Sequence, residues 1–152
     1  MDDITAKSNP DRISVELSAR RTGMSFQRTR MSADRTLMSV IRTSLSLISF
    51  GFTIYQVFEK MREHNVITHA ASGRNFGITL VGLGILMLIG GIAYHVQFML
   101  GLRHERVAMT DAGLIHGQSH FPVSLTLITA TILLLIGVAA IVSMVFQIGP
   151  FG

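Results

Sequence analysis

Arginine followed directly by threonine recurs every seven residues near the amino terminus. The four pairs begin at Arg21, Arg28, Arg35 and Arg42, and serine keeps the same step at Ser25, Ser32, Ser39 and Ser46. Guanidinium and hydroxyl groups are donors with which proteins bind phosphate groups. Because seven residues are nearly two helical turns, each set forms a stripe along one face of a helix. The pattern predicts an anion- or phosphate-binding stripe, whose candidate residues are Arg28, Arg35, Arg42, Thr36 and Thr43.

Two interpretations of this arginine stripe differ in what it contacts. In the first, Asp11 to about Arg35 form an amphipathic helix at the cytoplasmic interface, and the arginines bind lipid phosphates. This is the more common role of such a stripe. In the second, several copies of the chain assemble so that their arginines and hydroxyls line a shared anion site or pore entrance. Arg42 favours the second interpretation, because it lies inside an apolar segment where a charge needs a partner.

Three long apolar blocks follow or overlap the stripe, at residues 37–58, 77–102 and 123–148. Apolar residues make up 49% of the chain and charged residues only 14%, against roughly 25% charged residues in soluble domains. Each block is long enough to cross a bilayer core of ~30 Å, and continuous helix satisfies every backbone amide there. We therefore predict an all-α integral membrane protein with three transmembrane helices, preceded by the amphipathic interfacial helix. Residues 1–35 form its cytoplasmic basic segment and residues 36–152 its transmembrane domain.

The distribution of lysine and arginine predicts the orientation of the chain. Of the thirteen lysine and arginine residues, eight precede the first span or lie just inside it, three are in the first loop and two are in the second loop. None follows the third span. By the positive-inside rule, the amino terminus and the second loop are cytoplasmic, whereas the first loop and the carboxyl terminus lie outside. We expect the protein in the cell (inner) membrane, with its basic end against anionic lipid headgroups.

Glycines of the second span also repeat at an interval of seven. Gly77, Gly84 and Gly91 form a smooth strip, and Gly137 belongs to a looser version of it in the third span. Small residues let helices approach closely in a membrane, so these four glycines are predicted helix-packing residues. Their partner is either another helix of the same chain or a second copy of the chain. We expect a homo-oligomer.

Other residue types that carry chemistry form no recognisable site. The chain has no cysteine, and His116 and His120, although four residues apart, have no carboxylate or thiol beside them to complete a metal site. His95, at the cytoplasmic end of the second span, is expected to reach headgroups and water. The sequence contains no nucleophile elbow, phosphate loop or carboxylate pair within a span. We therefore predict no catalytic residue, metal, cofactor or nucleic-acid partner, and a protein that is not an enzyme.

Three stretches, in order along the chain, resemble one known family. The first runs ADRTLMS, RTSL and FGF between Ala33 and Phe52, the second is RNFG at residues 74–77, and the third is FPVSL at residues 121–125. Over most of residues 31–148 the chain resembles the domain of unknown function 202, the YidH-like small membrane proteins. That family is similar to the membrane part of the eukaryotic vacuolar transporter chaperone complex, in which three-helix units surround a basic channel for polyphosphate. The resemblance implies that Arg35 and Arg42 contact phosphate, although this sequence lacks the polymerase and phosphate-sensing domains of that complex.

These observations leave three functional hypotheses. The leading one is a small, oligomeric multi-pass membrane protein of unestablished role, whose arginine stripe contacts lipid phosphate or another anion. The first alternative is an anion or polyphosphate conduit formed by an oligomer. The second alternative is an accessory subunit that anchors or stabilises a larger membrane complex. Membrane lipids, further copies of the chain, and phosphate or polyphosphate are the corresponding partners.

Overall fold

Three helices make up all the regular secondary structure of the described residues. The computed structural model describes residues 10–64, 71–111 and 124–146. Its helices are α1 (Pro10–Glu63), α2 (Ala71–Asp111) and α3 (Leu125–Phe146). All three are long and apolar enough to cross a membrane. The prediction of an all-α fold with three helices of this length and apolarity is confirmed.

The first helix, α1, is far longer than one bilayer crossing requires. It has 54 residues, which at the usual rise per residue amount to about 80 Å measured along the helix. It begins at Pro10, whose missing N–H suits the first helical position, and Asp11 brings a negative charge to the positive end of the helix dipole. Lys60 and Arg62 complement the other end of the dipole in the last turn. Residues 10–35 of the basic amino-terminal segment and the first predicted span therefore belong to one continuous helix.

The second helix also extends past the apolar block from which it was predicted. The block covers residues 77–102, whereas α2 runs from Ala71 to Asp111. Hydropathy marks only the part of a helix that can lie in hydrocarbon, and the backbone remains helical beyond it wherever its hydrogen bonds can form. The third helix, Leu125–Phe146, lies within the predicted block 123–148, whose residues 123, 147 and 148 are outside the described ranges.

The chain divides into two compact units. Unit 1 comprises Met1–Ala33 and Val96–Pro122, and unit 2 comprises Asp34–His95 and Val123–Gly152. Both α1 and α2 contribute residues to each unit, whereas α3 belongs to unit 2 alone. Unit 2 therefore contains the first apolar block, residues 77–95 of the second block and all of α3.

Unit 2 has an apolar core where its three helices meet. The buried residues of this core are Leu37, Ile41, Ile48 and Tyr55 of α1, Val81, Ile85 and Leu88 of α2, and Ala130 and Met144 of α3. The α1 members are separated by four or seven residues, so they occupy one side of that helix. The opposite side of α1 is thereby left outside the core.

The glycines of α2 lie where α1 approaches closely. A Cβ atom on Gly77 would be 2.7 Å from the backbone oxygen of Gly51, and a Cβ atom on Gly84 would be 2.8 Å from Cγ1 of Ile48. A Cβ atom on Gly91 would be only 2.6 Å from Cγ1 of Val40, which precedes Ile48 by about two turns of α1. Side chains larger than hydrogen would push the helices apart, so the glycine strip determines their separation.

Gly137 on α3 is packed less tightly than the glycines of α2. A Cβ atom there would be 3.2 Å from Cδ1 of Ile48 and 3.2 Å from Cγ1 of Ile85. Both neighbours are side-chain atoms rather than backbone atoms, and each would have to shift by only a few tenths of an ångström. Gly137 is buried where α3 contacts the other two helices. A larger residue at Gly137 would disturb the packing of α3 less than a larger residue at Gly77 would disturb the packing of α2.

A buried hydrogen bond joins α1 to the far end of α3. The Tyr55 hydroxyl donates to the carbonyl oxygen of Met144 at 2.8 Å, and Tyr55 is only 2% exposed. Met144 lies in the last turn of α3, where carbonyl groups lack a partner within their own helix. The bond therefore satisfies a buried hydroxyl and a helix-terminal carbonyl together.

Candidate functional site

The residues of the predicted arginine stripe are on the surface of the chain. Arg28 lies in unit 1, and Arg35, Thr36, Arg42 and Thr43 lie in unit 2. All four of the residues in unit 2 are exposed, as is Arg28. Among the residues that the structure describes, no carboxylate lies within 4.0 Å of the guanidinium group of Arg35 or Arg42. These two guanidinium groups are therefore accessible to an external acceptor.

In unit 2 a narrow line of polar residues continues along α1 beyond the arginines. We call it the polar stripe, and its exposed residues are Arg35, Ser39, Arg42, Ser46, Ser49 and Thr53. At 3.6 residues per turn, all of them fall within about 40° of one line along the helix. From first to last the stripe extends about 27 Å, close to the ~30 Å thickness of bilayer hydrocarbon.

The polar stripe lies on the side of α1 that faces away from the other helices of unit 2. The buried residues of α1 in this unit are Leu37, Ile41, Ser44, Ile48, Gly51 and Tyr55. They centre on the opposite side of the helix, about 180° from the stripe. Exposed apolar residues such as Met38 and Leu45 lie beside the stripe. Unit 2 thus presents a polar line on the outer side of α1, and exposed apolar residues and the exposed Thr36 and Thr43 border it.

Hydroxyl groups along the stripe donate to the backbone of α1. Ser46 Oγ donates to the carbonyl oxygen of Arg42 at 2.9 Å, and Thr53 Oγ1 donates to that of Ser49 at 2.9 Å. Thr43, beside the stripe, makes the same kind of bond at 3.1 Å. These bonds use the hydroxyl hydrogen and leave oxygen lone pairs facing outward. The hydroxyls can therefore tolerate an apolar environment, whereas a guanidinium group there still needs an acceptor.

A second polar site in unit 2 lies where α3 begins, and we call it the polar cluster. On α1, the Oδ1 atom of Asp34 accepts hydrogen bonds from Ser124 Oγ at 2.7 Å and from Thr126 Oγ1 at 2.8 Å. The two hydroxyl groups also contact each other. On α2, the Nε2 atom of His95 is 3.6 Å from the same carboxylate oxygen. Side chains from all three helical segments therefore converge on one oxygen atom of Asp34.

The burial of His95 contradicts the prediction that its ring reaches headgroups and water. His95 is only 3% exposed, and among the described residues neither ring nitrogen has a hydrogen-bond partner. The reason is its direction on α2: His95 faces Asp34, whereas the preceding Tyr94 is 62% exposed. Sequence reasoning also missed the hydroxyl residues of the cluster, because they lie 90 and 92 positions after Asp34 and form no motif with it.

Glu59 links α1 and α2 at the other end of unit 2. Its Oε1 atom is 2.6 Å from Nη2 of Arg62, and its Oε2 atom is 3.9 Å from Nη1 of Arg74. The Arg62 side chain is 51% exposed, so its ion pair is well screened by solvent. The cationic partners of Glu59 thus lie at the opposite end of α1 from the arginine stripe.

Within the described ranges, no group of three or more His, Cys, Asp or Glu side chains could hold a metal ion. His64 and His104 are exposed, and His116 and His120 lie outside the described residues. The expectations that the protein binds no metal or cofactor and is not an enzyme stay predictions.

The fold and the site define the class of the protein. It is an all-helical protein with three helices able to cross a membrane, and it bears an exposed line of arginine and hydroxyl residues on the first helix. The model of the family described as "Domain of unknown function (DUF202)" matches residues 20–101, which is more than half of the chain. The chain belongs to this family. The matched region includes the polar stripe, Asp34 and His95 and ends before α3. No curated protein and no solved structure matches the chain.

Proposed function

We propose that this protein forms a homo-oligomer in the cell membrane and that its arginine stripe binds anionic groups, either lipid phosphates or another anion. The observation that carries the proposal is the polar stripe on the outer side of α1. An arginine at the middle of a span costs at least ~2.5 kcal/mol, and it is tolerated where it meets an acceptor, another protein chain or water. Arg42 lies five residues inside the first apolar block, so its guanidinium group needs an acceptor at the nearby headgroups or in another chain.

Lipid phosphates are the natural ligands of the arginines nearest the amino terminus. Arg28 and Arg35 precede the first apolar block, and both are exposed. Each basic residue near an anionic surface contributes about 1 kcal/mol of attraction. In this proposal residues 11–35 of α1 lie along the cytoplasmic interface, the amino terminus is cytoplasmic, and the carboxyl terminus is outside.

Contact between copies of the chain accounts for the rest of the polar stripe. Ser46, Ser49 and Thr53 lie beyond Arg42 and farther from the headgroups on the amino-terminal side. Small hydroxyl residues allow helices to approach closely in a membrane and to hydrogen-bond across the contact. A second copy packed against the stripe would bury these residues and would offer Arg42 an environment other than lipid.

The length of the stripe favours a second candidate function, an anion or polyphosphate conduit. A stripe of about 27 Å nearly equals the thickness of the hydrocarbon core. If the stripes of several copies face a common axis, they line a polar path across the bilayer, with rings of Arg35 and Arg42 near one entrance. The resemblance to the YidH-like proteins and to the membrane part of the vacuolar transporter chaperone complex supports phosphate groups as the ligand.

The absence of native cysteine allows a direct test of the oligomer. Ser46→Cys, on the polar stripe, should cross-link copies of the chain in native membranes. Leu86→Cys is the matched control, because Leu86 is 68% exposed on α2 and outside the stripe. Equal cross-linking of the two variants, or none in either, contradicts an interface at the stripe. A stoichiometric partner that copurifies in mild detergent would instead favour the accessory-subunit alternative.

Flux measurements separate lipid binding from conduction. Protein reconstituted in liposomes should release entrapped phosphate or short polyphosphate if the stripe forms a conduit. Arg42→Ala should then abolish the flux and Arg42→Lys should retain part of it, whereas Arg62→Ala, at the other end of α1, should behave as the wild type. Cross-linked oligomers that pass neither anion contradict the conduit. Anionic lipid that stays bound to the wild type but not to an Arg28→Ala/Arg35→Ala variant supports the lipid-binding proposal.

A further inference from the structure

We infer that a phosphate group, from a soluble anion or a lipid headgroup, bridges the Arg35 and Arg42 guanidinium groups of neighbouring copies and is required for the copies to associate. The inference rests on the proposed function, since it takes the polar stripe as the contact between copies. All the residues that it uses belong to unit 2. One copy alone does not complete the site, because each copy supplies only its own guanidinium groups.

Copies of this chain that meet in a membrane run parallel to each other. The distribution of lysine and arginine orients every copy in the same way, so a given residue lies at the same depth in each copy. Helices in contact have axes about 8–10 Å apart, which long side chains from both helices can span. When two copies pack on their polar stripes, the Arg35 groups therefore face each other, and so do the Arg42 groups.

Unit 2 supplies no carboxylate that could compensate these facing charges. Its acidic residues are Asp34, Glu59 and Glu63. The two glutamates follow Arg42 by 17 and 21 residues, a separation of about 26 Å or more along α1. Asp34 is nearer, but its Oδ1 atom accepts hydrogen bonds from two hydroxyl groups of α3, and its side chain is only 27% exposed. A contact between copies at the stripe therefore brings like charges together unless an anion enters from outside.

A phosphate group has the chemistry that this contact lacks. Guanidinium groups remain protonated in proteins, so loss of a proton cannot relieve the repulsion. Among the described residues, Arg35 and Arg42 are exposed and have no carboxylate within 4.0 Å. Phosphate oxygens accept paired hydrogen bonds from guanidinium groups, and one phosphate group has enough oxygens for more than one of them. The small Ser39 and Ser46 beside the arginines let the two backbones approach.

Energy transfer between labelled copies in phosphate-free bilayers tests the requirement. The full chain carries donor or acceptor dyes at a single introduced cysteine, His104→Cys, which is exposed and outside the polar stripe. It is reconstituted in an uncharged glycolipid, digalactosyldiacylglycerol. At matched ionic strength, replacing chloride by inorganic phosphate should raise the association constant at least about tenfold once phosphate exceeds ten times its Kd. A rise with phosphatidylglycerol alone would assign the bridge to a headgroup, and a rise with inorganic phosphate would assign it to a free anion.

Removal of the facing charges should remove the need for the anion. Arg35→Gln/Arg42→Gln should associate in the glycolipid without phosphate and should not respond to it, whereas Arg62→Gln, at the other end of α1, should respond as the wild type does. A response that persists in the double variant overturns the inference, because the anion then binds elsewhere.

The same measurements separate this inference from the proposed homo-oligomer. Wild-type association that is equally strong with and without phosphate or phosphatidylglycerol overturns the inference and leaves the homo-oligomer standing. No energy transfer in any lipid, together with no cross-linking of Ser46→Cys in native membranes, contradicts the homo-oligomer and the inference with it.

Discussion

Alanine at Gly77 should push α1 and α2 apart, whereas alanine at Gly90 should not. A Cβ atom on Gly77 would be 2.7 Å from the Gly51 oxygen and 2.9 Å from the Tyr55 nitrogen. Both are backbone atoms, so no side-chain rotation relieves the overlap and the helices must separate by several tenths of an ångström. Overpacking of this kind costs about 1–3 kcal/mol. At Gly90, no atom outside its own helix lies within 4 Å, so alanine adds only its helix propensity, about 1 kcal/mol.

The gain in helix propensity is the same for both substitutions, so the difference between their stabilities measures the effect of the contact between α1 and α2. Gly77→Ala should therefore be less stable than Gly90→Ala by about 1–3 kcal/mol. Reversible unfolding in mixed micelles of increasing SDS content, followed by helical circular dichroism, measures this difference. Gly84→Ala should fall between the two variants, because its closest contact, at 2.8 Å, is the movable side chain of Ile48. Equal stability of Gly77→Ala and Gly90→Ala would refute the claim that glycine determines the separation of α1 and α2.

The same unfolding measurement checks three further substitutions. Tyr55→Phe should destabilise the protein by about 1–3 kcal/mol, because the Met144 carbonyl loses its donor, and an unchanged midpoint would mean that this bond is not formed. Ser143→Ala should be neutral or stabilising, since the Ser143 hydroxyl is buried and has no hydrogen-bond partner among the described residues. A clear loss of stability would show that the hydroxyl does have a partner. Glu59→Gln should cost less than about 1 kcal/mol at moderate salt, because its closest partner, Arg62, is half exposed. A larger loss would show that the charge of the mostly buried Glu59 carboxylate contributes to stability.

The helices could be predicted from the sequence because long uncharged segments have few alternatives to helix in a bilayer. The extension of α2 beyond its apolar block could not, since Arg103 is as compatible with helix outside hydrocarbon as with a loop. The exposed side of α1 was partly predictable as well. Arg35 and Arg42 share a seven-residue period, and Ser49 and Thr53 continue it from Arg42 and Ser46, but that these residues form one exposed line is recognised only when burial is known.

The polar cluster could not be predicted from the sequence. Serine and threonine are common in membrane helices, and nothing in their spacing connects Ser124 and Thr126 with a carboxylate about 90 residues earlier. The position of His95 at the end of an apolar block suggested contact with water, because its place along the chain indicates depth but not direction around the helix. A rotation of one residue, about 100°, separates the buried His95 from the exposed Tyr94.

Two hydrogen-bonded contacts prevent α3 from sliding along α1. Thr126 bonds Asp34 near the start of α3, and Met144 bonds Tyr55 near its end, so the anchors are 18 residues apart on α3 and 21 apart on α1. The two helices run in the same direction, and sliding α3 by one turn, about 5.4 Å, would break both anchors together. α2 instead packs on α1 through its glycines, with longer polar contacts at 3.9 Å to Glu59 and 3.6 Å to Asp34. Piston-like displacement of α3 is therefore opposed at both ends by short hydrogen bonds, whereas α2 is held on α1 chiefly by close packing.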